Sequence, residues 1–133
     1  MIFLLSLQKK VMMYLIFLLL VFMQAEPPED GIVFTVYSPV EGQCDSSPLI
    51  TADNSRIDLA SLRSGDIRWC AVSRDLLDRY SYGDRIDVFI CDGHPKNGIW
   101  EIHDTMNKRY SKTVDFLTYD EKHGKWKGTI RKL

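Results

Sequence analysis

Two aspartates in the C-terminal third of this chain have the residue type and the spacing for acid–base chemistry. Asp104 and Asp115 each lie in a β-like run, and the polar, basic segment 105–112 separates them. If neighbouring strands bring the two carboxylates close together, both cannot ionise easily, because like charges repel. The pKa of one then rises, and that group can act as a general acid near neutral pH. The alternative is that both aspartates face water at turns, where Asp is common.

The cysteines and histidines suggest no metal or cofactor. Cys44, Cys70 and Cys91 give an odd count, so an exported protein could form one disulfide and keep a free thiol, with three pairings to choose from. Cys70 and Cys91 also suit buried strand positions. No Cys/His spacing is typical of zinc, and His103 should point away from its neighbour Asp104, since adjacent strand residues face opposite sides. We therefore predict no metal and no cofactor.

The N-terminus is typical of an export signal. Lys9 and Lys10 precede the almost purely apolar run 11–23, which closes on a small residue, Ala25. The run is shorter than the roughly 20 residues that a membrane span needs, which favours a signal peptide. Met23 is large for a position before a cleavage site, so a retained anchor stays open. We predict a signal peptide or anchor over 1–25, a linker over 26–31 and one domain over 32–133, exported to the periplasm or cell envelope, or secreted.

Net charge excludes a general polyanion binder. The chain has 17 basic and 18 acidic residues, and loss of Lys9 and Lys10 with the leader leaves a net charge of −3. We therefore predict no nucleic-acid partner, and membrane contact only through the N-terminal segment. The remaining basic residues gather late in the chain: Lys108, Arg109, Lys112, Lys122, Lys125, Lys127, Arg131 and Lys132. They form either a solvated face or a contact for an anionic polymer such as a cell-wall glycan.

Short β-like segments fill the rest of the chain. Runs rich in β-branched and aromatic residues, each bounded by turn residues, cover 32–37, 49–54, 68–73, 85–91, 98–103, 113–118 and 126–132. One or two helical turns are predicted over 74–80, with Ser73 as the N-cap. Many short strands at close spacing indicate an all-β fold, a small β-barrel of about six strands.

Four motifs in order resemble the three-aspartate ("3D") domain family of bacterial cell-wall proteins. They are Thr35-Val36-Tyr37-Ser38-Pro39, then Pro48-Leu49-Ile50-Thr51-Ala52-Asp53-Asn54, then Cys70-Ala71-Val72-Ser73-Arg74-Asp75 with Tyr82-Gly83-Asp84, and finally Asp104-Thr105 with Thr113-Val114-Asp115-Phe116. This family is similar to the C-terminal barrel of membrane-bound lytic transglycosylase A, and it shares a double-psi β-barrel with rare lipoprotein A and the expansins. The resemblance implies a six-stranded double-psi β-barrel with one short helix.

The resemblance also implies an activity, lytic cleavage of the peptidoglycan glycan strand by a monomeric protein. One protonated carboxyl gives its proton to the leaving oxygen and then takes one from the sugar's own hydroxyl, which requires a single Asp with a raised pKa. By position, Asp115 matches the family's acid/base and Asp104 its partner. The residues predicted to bind substrate are Tyr37, Thr51, Asp53, Ser73 and Lys108. Their alternative roles are turn hydrogen bonding for Thr51 and Asp53, and barrel core for Tyr37.

Departures from the family pattern leave a second function open. Ser73 stands where the first family aspartate is expected, with Asp75 two residues on, and Met106 replaces a glycine. A barrel lacking one of three aspartates could bind or loosen wall polymers without cleaving them, as expansin-like modules do. Met106 also excludes an aspartic protease, whose active-site turn requires that glycine. Trp100, Trp126 and Tyr110 could stack on sugars in either function, if they are exposed.

Overall fold

A computed structural model describes residues 2–24, 26–39, 49–121 and 123–133. In chain order the elements are α1 (Ile2–Gln24), β1 (Glu29–Tyr37), α2 (Leu59–Ser64), β2 (Trp69–Val72), a 3₁₀ turn (Arg74–Asp78), β3 (Arg85–Phe89), β4 (Gly98–Thr105), β5 (Thr113–Leu117) and β6 (Lys125–Lys132). Strands make up most of the regular secondary structure after α1, so the predicted all-β class is confirmed.

The six strands close into a barrel in the order β1-β5-β2-β4-β3-β6. Two pairs are parallel, β1 with β5 and β2 with β4, and the other four are antiparallel. If β1, β2 and β3 are exchanged with β4, β5 and β6, respectively, the strand order around the ring is the same, read in the opposite direction. The exchange turns the parallel pair β1/β5 into the other parallel pair, β4/β2. The barrel therefore consists of two similarly connected halves, β1–β3 and β4–β6, and its strand order is unchanged when they are exchanged.

Alternation along each strand separates an apolar interior from an outer face. Phe34 and Phe116 stack inside the barrel with ring centroids 5.3 Å apart, and Val72 and Val114 beside them are fully buried. Because successive strand residues face opposite sides, their chain neighbours lie on the outer face. A second apolar cluster, which includes Ile57, Leu62 and Leu117, covers part of that face under α2. The site described below lies in this outer layer.

Two local predictions differ from the structure. The segment 49–54, predicted as a short strand that runs into a turn, contains the turn but only one isolated bridge, between Ile50 and Arg56. The six-residue helix α2 was missed, although Asp58 caps its start and Gly65, with φ of 83°, ends it. The short helix predicted over 74–80 is the 3₁₀ turn Arg74–Asp78, and the Ser73 side chain does not cap it.

The N-terminal helix α1 starts earlier than the apolar run predicted. Its 23 residues span about 34 Å, and the stretch Ile2–Val21 has a mean hydropathy of 1.8 with its side chains exposed. Lys9 and Lys10 lie inside the helix, so the shortness of 11–23 does not argue against an anchor. A signal sequence and a membrane anchor share these properties. β1 begins at Glu29, inside the predicted linker.

Candidate active site

One outer-face row of the barrel brings the two aspartates together. Ala71 on β2 pairs with Asp104 on β4 at one side and with Asp115 on β5 at the other, and Thr35 on β1 pairs with Asp115. The aspartates therefore come from two strands that flank β2, and not from adjacent strands as the spacing suggested. Their Cα atoms are two strand spacings apart, about 10 Å. Ala71 puts only a methyl group between the two carboxylates.

Asp115 has the environment of a general acid. Burial raises its pKa, the hydrogen bond from Thr35 lowers it and the nearby charge of Asp104 raises it, and together they bring the pKa to about 6. The dominant cause is therefore desolvation, and the repulsion expected from sequence is the smaller effect. Thr35 Oγ1 donates to Asp115 Oδ1 at 2.7 Å. Within the described part of the chain this is the hydrogen bond that Asp115 makes, so Oδ2 is free to face a ligand.

Asp104 is fixed on both of its oxygens. Oδ1 accepts from the backbone N–H groups of Ala52 and Thr105, each at 2.9 Å. Oδ2 accepts from the hydroxyl of Tyr37 at 3.3 Å. Tyr37 is half-buried in the outer cluster, so it lies outside the barrel core and borders the row. Asp104 is thus a positioned neighbour of Asp115 and lacks an oxygen open in the way that Asp115 Oδ2 is.

The turn 51–55 holds Asp104 through a backbone N–H group, while its own polar side chains form hydrogen bonds within the turn. Thr51 is buried, and its hydroxyl donates to Asp53 Oδ1 at 2.6 Å. Burial would raise the pKa of Asp53, but hydrogen bonds from Thr51, His103 and Ser55 outweigh it and hold that pKa below its usual value. Thr51 and Asp53 therefore have the turn-bonding role that was their alternative. Asn54 in this turn has a left-handed backbone, with φ of 70°.

A bulge in β4 overturns the prediction for His103. Cys70 pairs with Ile102 and Ala71 with Asp104, so His103 is an extra residue that interrupts the alternation. Its ring packs at 4.2 Å from Trp69, Nδ1 lies 2.6 Å from Asp53, and Nε2 lies 3.0 Å from Glu101. His103 therefore lies in the same outer layer as Asp104 and ties the turn 51–55 to β4.

Ser73 is wrongly predicted as a substrate-binding residue. It is fully buried, and its hydroxyl accepts from Thr113 N–H at 3.0 Å, so no substrate can reach it. Asp75, the nearest acid to the missing family aspartate, accepts from Lys112 N–H at 3.1 Å. Burial would raise the pKa of Asp75, but its hydrogen bonds, Ser73 and Lys112 first among them, lower it. Asp75 therefore stabilises the turn before β5.

The remaining candidates lie at different depths. Lys108 is exposed on the turn between β4 and β5. Trp100 is a core residue, 4% exposed, and Trp126 packs against the same core, so neither offers an open face to a sugar. Tyr110 is 38% exposed, with the Arg109 guanidinium 4.9 Å from its ring centroid. Among the three aromatic residues, Tyr110 is the one accessible for stacking.

The thiols do not extend the site. Cys70 is buried in the barrel and Cys91 is exposed, and both are free in the described part of the chain. Pairings with Cys44 lie outside the described residues. Burial, followed by the charges of Asp115 and Glu101, raises the pKa of Cys70, which disfavours a reactive thiolate there. No group of three or more potential metal ligands occurs among the residues that the structure describes.

Comparison with known proteins gives this chain no family assignment: no family model matches it, and no curated protein matches it. The site itself therefore carries the functional inference. Thr35 was not singled out from the sequence, yet it makes the hydrogen bond to the acid. The signal was available, because Thr35 and Tyr37 alternate with the apolar Phe34 and so share one face.

Proposed function

We propose that the barrel domain is a lytic transglycosylase that cleaves the glycan strand of peptidoglycan, with Asp115 as its single general acid/base. The observation that carries this proposal is the pKa of about 6 at a half-buried carboxyl, one oxygen of which accepts no hydrogen bond from the described residues. Such a group is protonated in an appreciable fraction of molecules near neutral pH, and it can both give and accept a proton.

The proposed reaction uses the proton of Asp115 twice. Protonated Oδ2 donates to the glycosidic oxygen as the bond from that oxygen to the anomeric carbon breaks. The resulting carboxylate then takes the proton of a hydroxyl on the same sugar, whose oxygen bonds to the anomeric carbon and closes an anhydro ring. No water is consumed, and Asp115 returns to its protonated state. Thr35 stabilises the transient carboxylate through Oδ1, and the negative charge of Asp104 favours reprotonation.

Three features beyond the acid support a glycan in the cell envelope as the substrate. The four sequence motifs run in the order of the three-aspartate family. The ring of two similarly connected halves is compatible with a double-psi barrel. The apolar helix α1 has the length of a signal or an anchor, which suits a domain that works outside the cytoplasm.

A non-catalytic wall-binding module is the second candidate, and the state of Ser73 favours it. Ser73 replaces the first aspartate of the family pattern, and this position is buried in the protein interior. A barrel with an incomplete acid set can hold a polymer without cutting it, in the manner of the expansin-like barrels. This candidate predicts binding to peptidoglycan without release of any product.

Mass spectrometry of digests separates these candidates. The full-length protein, incubated with purified peptidoglycan, should release muropeptides that end in an anhydro sugar, and Asp115→Asn should not. Asp87→Asn is the matched control, because Asp87 lies on β3, opposite β5 in the ring. Ordinary hydrolysed ends in place of anhydro ends would contradict the mechanism. If the parent and Asp115→Asn release equal amounts of product, Asp115 is not the general acid of the reaction.

A further inference from the structure

The outer-face row that contains Asp115 continues onto a strand that sequence reasoning did not connect with the site. Thr35 on β1 pairs with Asp115 on one side and with Lys125 on β6 on the other. The row therefore reads Lys125, Thr35, Asp115, Ala71, Asp104 across five adjacent strands. One end of it is cationic, and the other end is acidic.

Among the described residues, the basic residues late in the chain divide into those that form an ion pair and those that do not. Arg131 forms an ion pair with Asp87 at 3.4 Å, and Lys132 forms one with Asp84 at 3.3 Å. Lys125 and Lys127 are exposed and alternate on the outer face of β6. Neither has an ion-pair partner within the described residues. Among the described residues, two cations without ion-pair partners thus lie on the outer face that carries the acid, Lys125 in its row and Lys127 beside it.

We propose that Lys125 and Lys127 form a subsite that binds carboxylate groups of the glycan strand and so aligns that strand along the row. The subsite rests on the proposed function for the identity of its polymer. It extends that function by assigning the chain a preference for an acidic glycan. Exposed lysines suit this role, because each ammonium is a mobile point charge that can follow carboxylates along a flexible polymer.

The spacing of the row explains how the lysines can bind substrate near Asp115 without lowering the pKa of Asp115. A lysine in contact with Asp115 would favour the ionised carboxylate and lower its pKa. Thr35 stands between them, so the Cα atoms of Lys125 and Asp115 are about 10 Å apart, two strand spacings. The groups that shift the pKa of Asp115 are accordingly its burial, Thr35 and Asp104, with neither lysine among them.

Co-sedimentation with purified peptidoglycan tests the subsite. The full-length protein should bind native peptidoglycan more tightly than peptidoglycan whose carboxyls have been converted to methylamides. Lys125→Gln combined with Lys127→Gln should weaken binding to native material about fivefold to tenfold, since exposed ion pairs contribute modestly. The double variant should bind the amidated material as the parent does. Arg85→Gln is the matched control, an exposed cation on β3 beside the end of β6 that is remote from Lys125, and should change nothing.

The readouts separate the failure of this inference from failure of the proposed chemistry. Equal binding of parent and double variant to native peptidoglycan, or no loss on amidation, overturns the lysine subsite even if anhydro products form. Charge-dependent binding without anhydro products supports the subsite and overturns the transglycosylase. A parent that does not sediment with native peptidoglycan overturns the subsite outright.

Discussion

The two topologically equivalent parallel strand pairs of the barrel, β1/β5 and β4/β2, carry different chemistry at equivalent positions. The symmetry of the strand order relates β1 to β4 and β5 to β2, so Thr35 corresponds to Asp104 and Asp115 to Ala71. In the β1/β5 pair an acid lies beside a hydroxyl that donates to it. In the β4/β2 pair a methyl group lies beside an acid that backbone N–H groups and Tyr37 hold.

This difference teaches that the strand pairing alone does not make a general acid. Both carboxylates come from the same row and the same kind of parallel pair. Asp115 is set apart by its burial and by a single donor, whereas Asp104 is surrounded by three. Substitutions that make one aspartate's surroundings more like the other's should therefore change function in a graded way.

The largest expected effect is on catalysis, from Asp115→Asn. The amide is nearly isosteric and still accepts from Thr35, but it cannot cycle a proton. Release of anhydro-muropeptides should fall by about 10² to 10⁴, the usual contribution of a general acid. Asp104→Asn should reduce the rate less, because Asp104 only adds to the raised pKa of Asp115. If the two variants lose activity equally, the two aspartates do not differ in role as their environments indicate.

The next effect is on stability as a function of pH. The pKa of Asp115 is about 6 in the folded protein and about 3.8 when unfolded, so the folded state binds more protons between these values. The stabilisation that comes from this raised pKa is fully present below about pH 4 and is lost as pH rises through 6. The free energy of unfolding falls by about 3 kcal/mol in all over this range. Chemical denaturation should show that the free energy of unfolding of Asp115→Asn increases relative to that of the parent as pH rises over this range. A constant difference from pH 4 to 7 would contradict the raised pKa.

A smaller effect should follow from Thr35→Val, which removes the donor that lowers the pKa of Asp115. Without that hydrogen bond the pKa rises further, and the pH above which activity declines should move up by about one pH unit. The pH profile of the initial rate measures this. Thr129→Val, an outward threonine on β6, is the control and should leave the profile in place. A profile displaced to lower pH would reverse the role given to Thr35.

The smallest effect is expected from Tyr37→Phe. The hydroxyl contributes a 3.3 Å hydrogen bond to Asp104, which two backbone donors continue to hold. The initial rate should fall by no more than about tenfold, consistent with a net hydrogen bond of 0.5–1.5 kcal/mol. A loss as large as that of Asp115→Asn would show that Tyr37 acts on substrate directly and not through Asp104.

Local sequence determined the parts of this protein that depend on neighbouring residues. Alternation of apolar and polar residues located the six strands, and the run before Ala25 located the N-terminal apolar segment. The same alternation put Val114 inside and Asp115 outside. These features follow from a side-chain period of two and from composition, and both can be read along the chain.

Only the tertiary structure decided which strands are partners. Ala71 lies between the two aspartates and Lys125 lies in their row because the ring order is non-sequential, and no local pattern encodes that order. The bulge at His103 and the sealing of Ser73 depend on the same long-range pairing. The pKa of Asp115 does as well, since burial is its main cause and burial arises only when distant segments pack together.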